Sequence, residues 1–167
     1  AEQYDQDAPL SLDGEAYINT EIATWGENGY SFTLVEAAAG IAWLRENVQG
    51  TPIILEAHAE AYRWVARIAT HTGLPTLIGW PWHETQQRSV ADGGSVLTAR
   101  QEAVKRWYTS DDADKTLVEI QKYGIEYVYV GQMERAMYGE NVGQAFAKLA
   151  ADGTITPVFR LEHTVIY

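Results

Sequence analysis

The sequence predicts an α/β fold in which a mainly parallel sheet carries helices on both faces. The first observation is a set of short, nearly continuous apolar runs, which is typical of strands covered on both sides. These runs occupy 52–55, 75–80 and 125–131. The second observation is that helical patterns lie between them, in the strand, helix, strand order of parallel neighbours. The third is the stretch 154–167, which predicts two strands joined as an antiparallel hairpin at a sheet edge.

These observations together predict a three-layer, Rossmann-like arrangement. Apolar residues at helical spacing predict a helix over 35–48. A second helix is expected over 59–72, because Gly73 supplies a glycine cap and Pro75 follows it. Three more helices are expected, over 98–108, 112–123 and 142–151.

Two segments lack a regular period. Residues 1–33 predict an irregular N-terminal arm, and the polar stretch 81–94 predicts a loop that leaves the second strand. No repeat or flexible linker divides the chain. Residues 1–167 are therefore expected to form a single α/β domain.

Composition excludes several classes of function. The formal charge of −11 and the scattered basic residues argue against nucleic acid as a partner. The chain contains no cysteine, so it has no disulfide, no thiol nucleophile and no thiolate metal site. No apolar run reaches the roughly 18 residues that a membrane span needs, and the chain as given is expected to be soluble.

Polar and aromatic side chains follow each predicted strand. The carboxyl ends of parallel strands meet at one edge of a sheet, so these side chains are expected to converge there. The candidate ligand-binding residues are Glu56, His58 and Tyr62 after the first strand, Trp80, Trp82, His83, Glu84 and Arg88 after the second, and Glu134, Arg135 and Tyr138 after the third.

Two carboxylates beside aromatic rings are what glycoside hydrolysis uses, with stacking to hold the sugar. Glu56 and Glu84 are the candidate catalytic residues on that interpretation. The alternative is structural: Glu56 pairs with Arg67 or Arg88 and holds loops together, which is the commoner use of an ion pair.

The sequence predicts neither a metal nor a cofactor. The histidines are too dispersed for a preset cage, and no HExxH motif occurs. They lie at His58, His71, His83 and His163. The GxGxxG, GxxxxGK[ST] and GxSxG signatures are also missing, which argues against a dinucleotide, a phosphate-binding loop and a nucleophile elbow.

Several sequence blocks resemble the C-terminal region of a family of large multi-pass membrane proteins from chloroflexi and archaea, the YYY membrane protein family. The blocks are TGLPTLIGWPWHETQQR at 72–88, YGIEYVYVGQMERAMY at 123–138, AGIAWLRENVQGTPIILEA at 39–57 and WYTSDD at 107–112. The residues that match the family blocks are Glu56, Gly73, Pro75, Gly79, Trp80, His83, Glu84, Arg88, Tyr129, Gly131, Glu134, Arg135 and Tyr138. One departure is Gln87, where the family pattern has tryptophan.

The resemblance implies a parent with many transmembrane helices, similar in layout to glycosyltransferases that use lipid-linked sugars. On that view this chain is an accessory domain on the extracytoplasmic face of the membrane, tethered to the transmembrane part of its parent. It would position a sugar or an acceptor, and the catalytic acid would lie elsewhere in the parent.

Two alternatives remain from the residues themselves. One is a self-sufficient carbohydrate-active hydrolase that uses Glu56 and Glu84, which requires their carboxyl groups to face each other across a cleft. The other is a structural or partner-binding module, which would show an exposed apolar patch and no cleft at the sheet edge. The sequence leaves the oligomeric state open.

Overall fold

The computed structural model describes residues 11–19, 22–26, 29–60, 62–88 and 93–167. Seven α-helices lie within these residues: α1 (Val35–Asn47), α2 (Arg67–Thr72), α3 (Pro81–Arg88), α4 (Gly93–Thr109), α5 (Ala113–Lys122), α6 (Gln132–Tyr138) and α7 (Gln144–Ala151). A 3-10 helix spans Ala16–Asn19. The strands are β1 (Ile22–Trp25), β2 (Tyr30–Thr33), β3 (Ile53–Leu55), β4 (Ile125–Val130), β5 (Phe159–Leu161) and β6 (Thr164–Ile166).

The larger sheet is mixed, with the strand order β3-β4-β6-β5. β3 and β4 pair in parallel, whereas β6 runs antiparallel to both β4 and β5. The prediction of a Rossmann-like fold with a mainly parallel sheet is therefore wrong. The described residues form a small α/β fold with one parallel strand pair, and the C-terminal hairpin of β5 and β6 supplies half of the sheet.

The predicted strand over 75–80 is also wrong. This segment makes a single parallel bridge, between Thr76 and Ile54, and the N–H of Ile54 donates to the carbonyl of Pro75 at 2.9 Å. The chain bends at Leu77 and again at Gly79, so the pairing with β3 does not continue beyond Thr76. The segment therefore contacts β3 at one bridge and adds no strand to the sheet.

Two neighbouring predictions change for local reasons. The helix expected over 59–72 begins only at Arg67, and the backbone before it turns through positive φ at Tyr62 (63°) and Ala66 (56°). The loop expected over 81–94 contains α3, which Pro81 opens. Proline suits the first position of a helix, because that N–H has no partner in the helix.

The described part of the N-terminal segment is more regular than its composition predicted, and residues 1–10 of the predicted arm lie outside the described residues. Where an irregular arm was expected, the 3-10 helix is followed by an antiparallel hairpin in which Ile22 pairs with Thr33 and Trp25 with Tyr30. Phe32 and Ile18 are buried in one apolar cluster with Val65 and Met133. This hairpin therefore lies against the body of the protein.

Alternate side chains of β4 enter different apolar clusters, as the period of a strand requires. Tyr129 packs with residues of α1 and α2, whereas Val128 and Val130 pack with residues of α4, α5 and α7. The helices predicted over 35–48 and 112–123 are confirmed, and Asp112 caps the latter by accepting the N–H of Lys115 at 3.0 Å. The carboxyl ends of β3 and β4 thus lie side by side within a packed core.

Candidate functional site

Glu56 and Glu134 meet at the carboxyl ends of β3 and β4, as the parallel pairing of these strands predicts. Arg67, the first residue of α2, donates to both carboxylate oxygens of Glu134, at 3.2 and 2.8 Å. Glu56 and Glu134 are fully buried, and Arg67 is nearly so. These three side chains, here named the carboxylate cluster, are closed to solvent.

Glu134 joins three segments of the chain. Besides Arg67, its carboxylate accepts the N–H of Ala57 at 3.1 Å and the N–H of Gly131 at 2.9 Å. The guanidinium of Arg67 in turn lies 4.9 Å from the ring centroid of Tyr129, within the range of a cation–π contact. These bonds occupy the Glu134 carboxylate, so its function here is to hold α2 and α6 against β3.

Glu56 caps α2 from a position 11 residues before that helix begins. Its carboxylate accepts the N–H of Ile68 and the N–H of Ala69, each at 2.9 Å, which satisfies donors that the first turn of a helix leaves unpaired. Burial raises the pKa of Glu56 to about 7, against the opposing effect of Arg67. The expected pairing of Glu56 with Arg67 is wrong, because Arg67 pairs with Glu134 and Glu56 binds backbone N–H groups. The structural role of Glu56 is therefore to hold the start of α2.

A cleft of about 1230 Å³ opens beside the loop that follows Glu56. Its lining combines aromatic rings with a few polar side chains, a composition typical of ligand sites. The lining residues are Thr24, Trp25, Gly26, His58, Ala59, Glu60, Tyr62, Arg63, Pro81, Trp82 and Gln101. Four segments therefore form one surface: the end of β1, loop residues 58–60 with 62–63, the start of α3, and α4 through Gln101.

Four aromatic side chains form a cluster at the edge of this cleft. The ring of His83 lies 5.0 Å from Trp82, 5.4 Å from Tyr62 and 5.5 Å from Trp80, measured between centroids. Tyr62 also contacts Trp80 at 5.5 Å. Tyr62 and Trp82 are 79% and 58% exposed, so two large rings of this aromatic cluster face solvent. The cluster exists because Pro81 opens α3 and places Trp82 and His83 in its first turn.

Glu84 lies apart from the cleft. Its carboxylate accepts the N–H of Gly79 at 2.6 Å, and it lines a smaller pocket of about 360 Å³ together with Trp80 and His83. Ala69, whose N–H binds Glu56, lines the same pocket. Glu56 is fully buried and neither carboxylate lines the cleft, so the two do not face each other across it.

The remaining predicted residues are divided among different surroundings. His58 lies in the cleft with Nε2 3.1 Å from the carbonyl of Gln101, and burial lowers the pKa of His58. Arg135 donates to the carbonyl of His163 at 3.0 Å, and Tyr138 stacks on Tyr108 at 5.2 Å; neither residue lines the cleft. The side chain of Arg88 falls outside the described part of the structure.

Among the cleft residues that sequence reasoning missed, four have large aromatic or polar side chains: Trp25, Glu60, Arg63 and Gln101. Trp25 lies in a hairpin that the composition of 1–33 did not predict, and Gln101 faces the cleft from α4. Glu60 and Arg63 fell inside a stretch predicted as helix. Their proximity to His58 along the chain was the one available signal.

One group among the described residues has the ligand types of a metal site: Glu36, Glu162 and His163. Its geometry is explained without an ion, because the Glu36 carboxylate accepts the N–H of His163 at 2.9 Å and lies 3.1 Å from its Nδ1. These contacts anchor the turn between β5 and β6 on the first turn of α1. The group is therefore a structural feature of that turn.

No family model, curated protein or solved structure matches the chain. Among the described residues, none of the helices combines the length and apolar character that crossing a bilayer requires. The cleft and its aromatic cluster are accordingly the features on which a function can be argued.

Proposed function

We propose that this chain is a non-catalytic accessory domain that binds a saccharide, or a sugar-bearing acceptor, in the aromatic cleft. The observation that carries the proposal is the exposure of Tyr62 and Trp82 at the rim of a cleft of about 1230 Å³. Large rings left in solvent beside a cleft are typical of recognition of flat or ring-shaped ligands. Hydrogen-bonding groups of Arg63 and Gln101 lie in the same lining.

The positions of the glutamate side chains in and near the cleft favour saccharide binding over hydrolysis. Glycoside hydrolysis needs two carboxyl groups flanking the scissile bond. Among the described residues that line the cleft, Glu60 is the one acidic side chain, and Glu56 is fully buried under α2. The hydrolase alternative would require a substrate to reach Glu56 through the core, so the accessory role is the better fit.

The sequence blocks at 72–88 and 123–138 support a place for this domain in a larger protein. By their resemblance, the domain belongs to a multi-pass, glycosyltransferase-like parent and lies at the extracytoplasmic face, against the parent's transmembrane part. The full reading frame of the gene tests this part of the proposal: several apolar segments of about 20 residues each are expected. A frame that encodes none would contradict it.

The cleft itself is tested by titration calorimetry with gluco-, manno- and chito-oligosaccharides. We expect one of these series to bind, and Trp82→Ala to weaken that binding by about tenfold or more, since aromatic side chains dominate such contacts. Tyr123→Ala is the matched control, because Tyr123 is a partly exposed aromatic residue that does not line the cleft.

Two results would overturn the binding proposal. One is the absence of binding by the intact protein to all three series. The other is equal weakening by Trp82→Ala and Tyr123→Ala, which would mean that the cleft is not where the saccharide lies. Release of reducing sugar during the titration would instead favour the hydrolase alternative.

A further inference from the structure

The smaller pocket shares a wall with the cleft. Its lining residues are Ala66, Ala69, Thr70, Thr76, Gly79, Trp80, His83 and Glu84. Trp80 and His83 each contact Tyr62, at 5.5 and 5.4 Å, and Tyr62 lines the cleft. The aromatic cluster thus has the cleft on one side and the small pocket on the other.

Three residues of this pocket carry a buried polar atom with no hydrogen-bonding partner among the described residues: Thr76 Oγ1, Trp80 Nε1 and His83 Nε2. Buried polar groups in native proteins are nearly always paired, so three such atoms around one pocket require an explanation. Trp80 Nε1 can only donate, the Thr76 hydroxyl donates or accepts, and His83 Nε2 does either according to its tautomer. Their natural partner is a ligand that carries several hydroxyl groups.

The shape of the pocket limits the size of that ligand. Its volume of about 360 Å³ lies at the small end of the range for ligand pockets. Ala66, Ala69 and Gly79 present little or no side chain, whereas Trp80 and His83 supply aromatic rings. Small residues on one part of the lining and aromatic rings on another suit a single sugar ring with polar substituents.

We propose that the small pocket binds one uncharged pyranose unit through Thr76, Trp80 and His83. With the cleft as the saccharide site proposed above, this unit is the terminal residue of the bound saccharide. The net charge of −11 disfavours an anionic sugar in the same place. Because the three polar atoms are closed off in this conformation, binding includes a rotation of the Trp80 or His83 ring.

Gly79 provides a variant that fills the pocket without disturbing the backbone. A Cβ at this position lies 3.5 Å from Glu84 Oε1 and 3.9 Å from the Cβ of Ala66, both ordinary contacts between two pocket walls. Gly79→Ala is therefore expected to fold normally while its methyl group occupies part of the ligand's space. Gly94→Ala is the matched control, since nothing lies within 4 Å of the Cβ it adds.

The experiment is a titration of the ¹⁵N-labelled protein with the methyl glycosides of glucose, mannose, galactose and N-acetylglucosamine, followed by the indole N–H signals. We expect one glycoside to shift the Trp80 signal and leave that of Trp107, a fully buried ring of the core, in place. Gly79→Ala should weaken this binding by about tenfold, whereas Gly94→Ala should leave it unchanged.

Comparing the variants shows whether the pocket proposal, the cleft proposal or both are contradicted. If no glycoside shifts the Trp80 signal, or if Gly79→Ala binds as tightly as the intact protein, the pocket does not hold a sugar unit. Trp82→Ala is expected to weaken the binding of oligosaccharides, as in the calorimetry above. If Trp82→Ala leaves oligosaccharide binding intact while Gly79→Ala abolishes glycoside binding, the pocket proposal stands and the cleft proposal fails.

Discussion

At the scale of single residues, two glutamates with the same sequence signature perform related structural tasks. Glu56 and Glu134 both follow a buried strand, and that pattern is equally typical of catalytic acids. In the structure each is satisfied by backbone N–H groups, and Arg67 pairs with Glu134. The difference between a catalytic and a structural acid here is burial, which the pattern does not reveal.

The buried carboxyl group of Glu56 is expected to make the stability of the protein depend on pH. Burial places its folded-state pKa at about 7, above the ordinary value of 4.5, so the folded state favours the protonated acid. The contribution of Glu56 to stability is therefore complete below pH 4.5 and is lost as pH rises through about 7. Thermal unfolding from pH 5 to 8 should show the intact protein losing stability relative to Glu56→Gln.

The ionisable groups that both proteins share cancel in this difference. Glu56→Gln should also be less stable than the intact protein at pH 5, by about 1–3 kcal/mol, since the glutamine NH2 group faces a backbone N–H and cannot accept a hydrogen bond from it. A stability difference that stays constant from pH 5 to 8 would mean that Glu56 does not titrate there.

At the scale of elements, α1 lies so close to the Tyr129 ring of β4 that a side chain at position 40 would overlap it. A Cβ on Gly40 would lie 2.9 Å from Cε2 of Tyr129 and 3.1 Å from its hydroxyl oxygen. Tyr129 is itself held between this helix and the Arg67 guanidinium. The glycine in the middle of α1 is thus required by the contact with the sheet, although it lowers helix propensity.

Gly40→Ala is expected to destabilise the protein by about 1–3 kcal/mol, because overpacking against Tyr129 outweighs the helix propensity of roughly 1 kcal/mol that alanine gains. Urea denaturation measures the difference. Gly94→Ala, which adds a methyl group to α4 in open space, should show no loss. Equal stability of Gly40→Ala and the intact protein would mean that α1 can move away from the sheet without cost.

At the scale of the whole molecule, one exposed ion-pair group ties the N-terminal segment to the body. Glu15 binds Arg45 of α1 through both carboxylate oxygens and lies 3.0 Å from Nδ1 of His71 in α2. Arg45 also donates to the carbonyl of His71 at 2.8 Å. These bonds connect residues before β1 with two helices on one face of the sheet.

Hydrogen bonds from Arg45 (the larger effect) and His71 (the smaller) lower the pKa of Glu15 to about 2. The contribution of Glu15 to stability is therefore present above pH 4.5 and is lost as the pH falls toward about 2. Glu15→Gln should reproduce that loss at neutral pH. We expect faster hydrogen–deuterium exchange over the 3-10 helix, and unchanged exchange in α4. Unchanged protection of residues 16–19 in Glu15→Gln would show that the apolar contact of Ile18 alone holds this segment.

The sequence by itself determined the parts of this protein that local patterns control. The helices over 35–48 and 112–123, the strand 125–130 and the C-terminal hairpin follow from period, caps and breakers. The meeting of Glu56 and Glu134 also follows, because it needs only two adjacent parallel strands. So does the proximity of Trp80, Trp82 and His83, which lie within four residues of one another.

Only the tertiary structure decided the rest. Periodicity assigned 59–66 to a helix, but the Glu56 carboxylate binds the N–H groups of Ile68 and Ala69, and α2 starts at Arg67. The loop thus freed brings His58, Tyr62 and Arg63 into the cleft, where they meet Trp25 from the distant hairpin. Burial of a charged group depends on the whole chain at once, because desolvation is set by everything that packs around it. That is why a sequence pattern could place these acids at the sheet edge but could not tell whether a ligand would reach them.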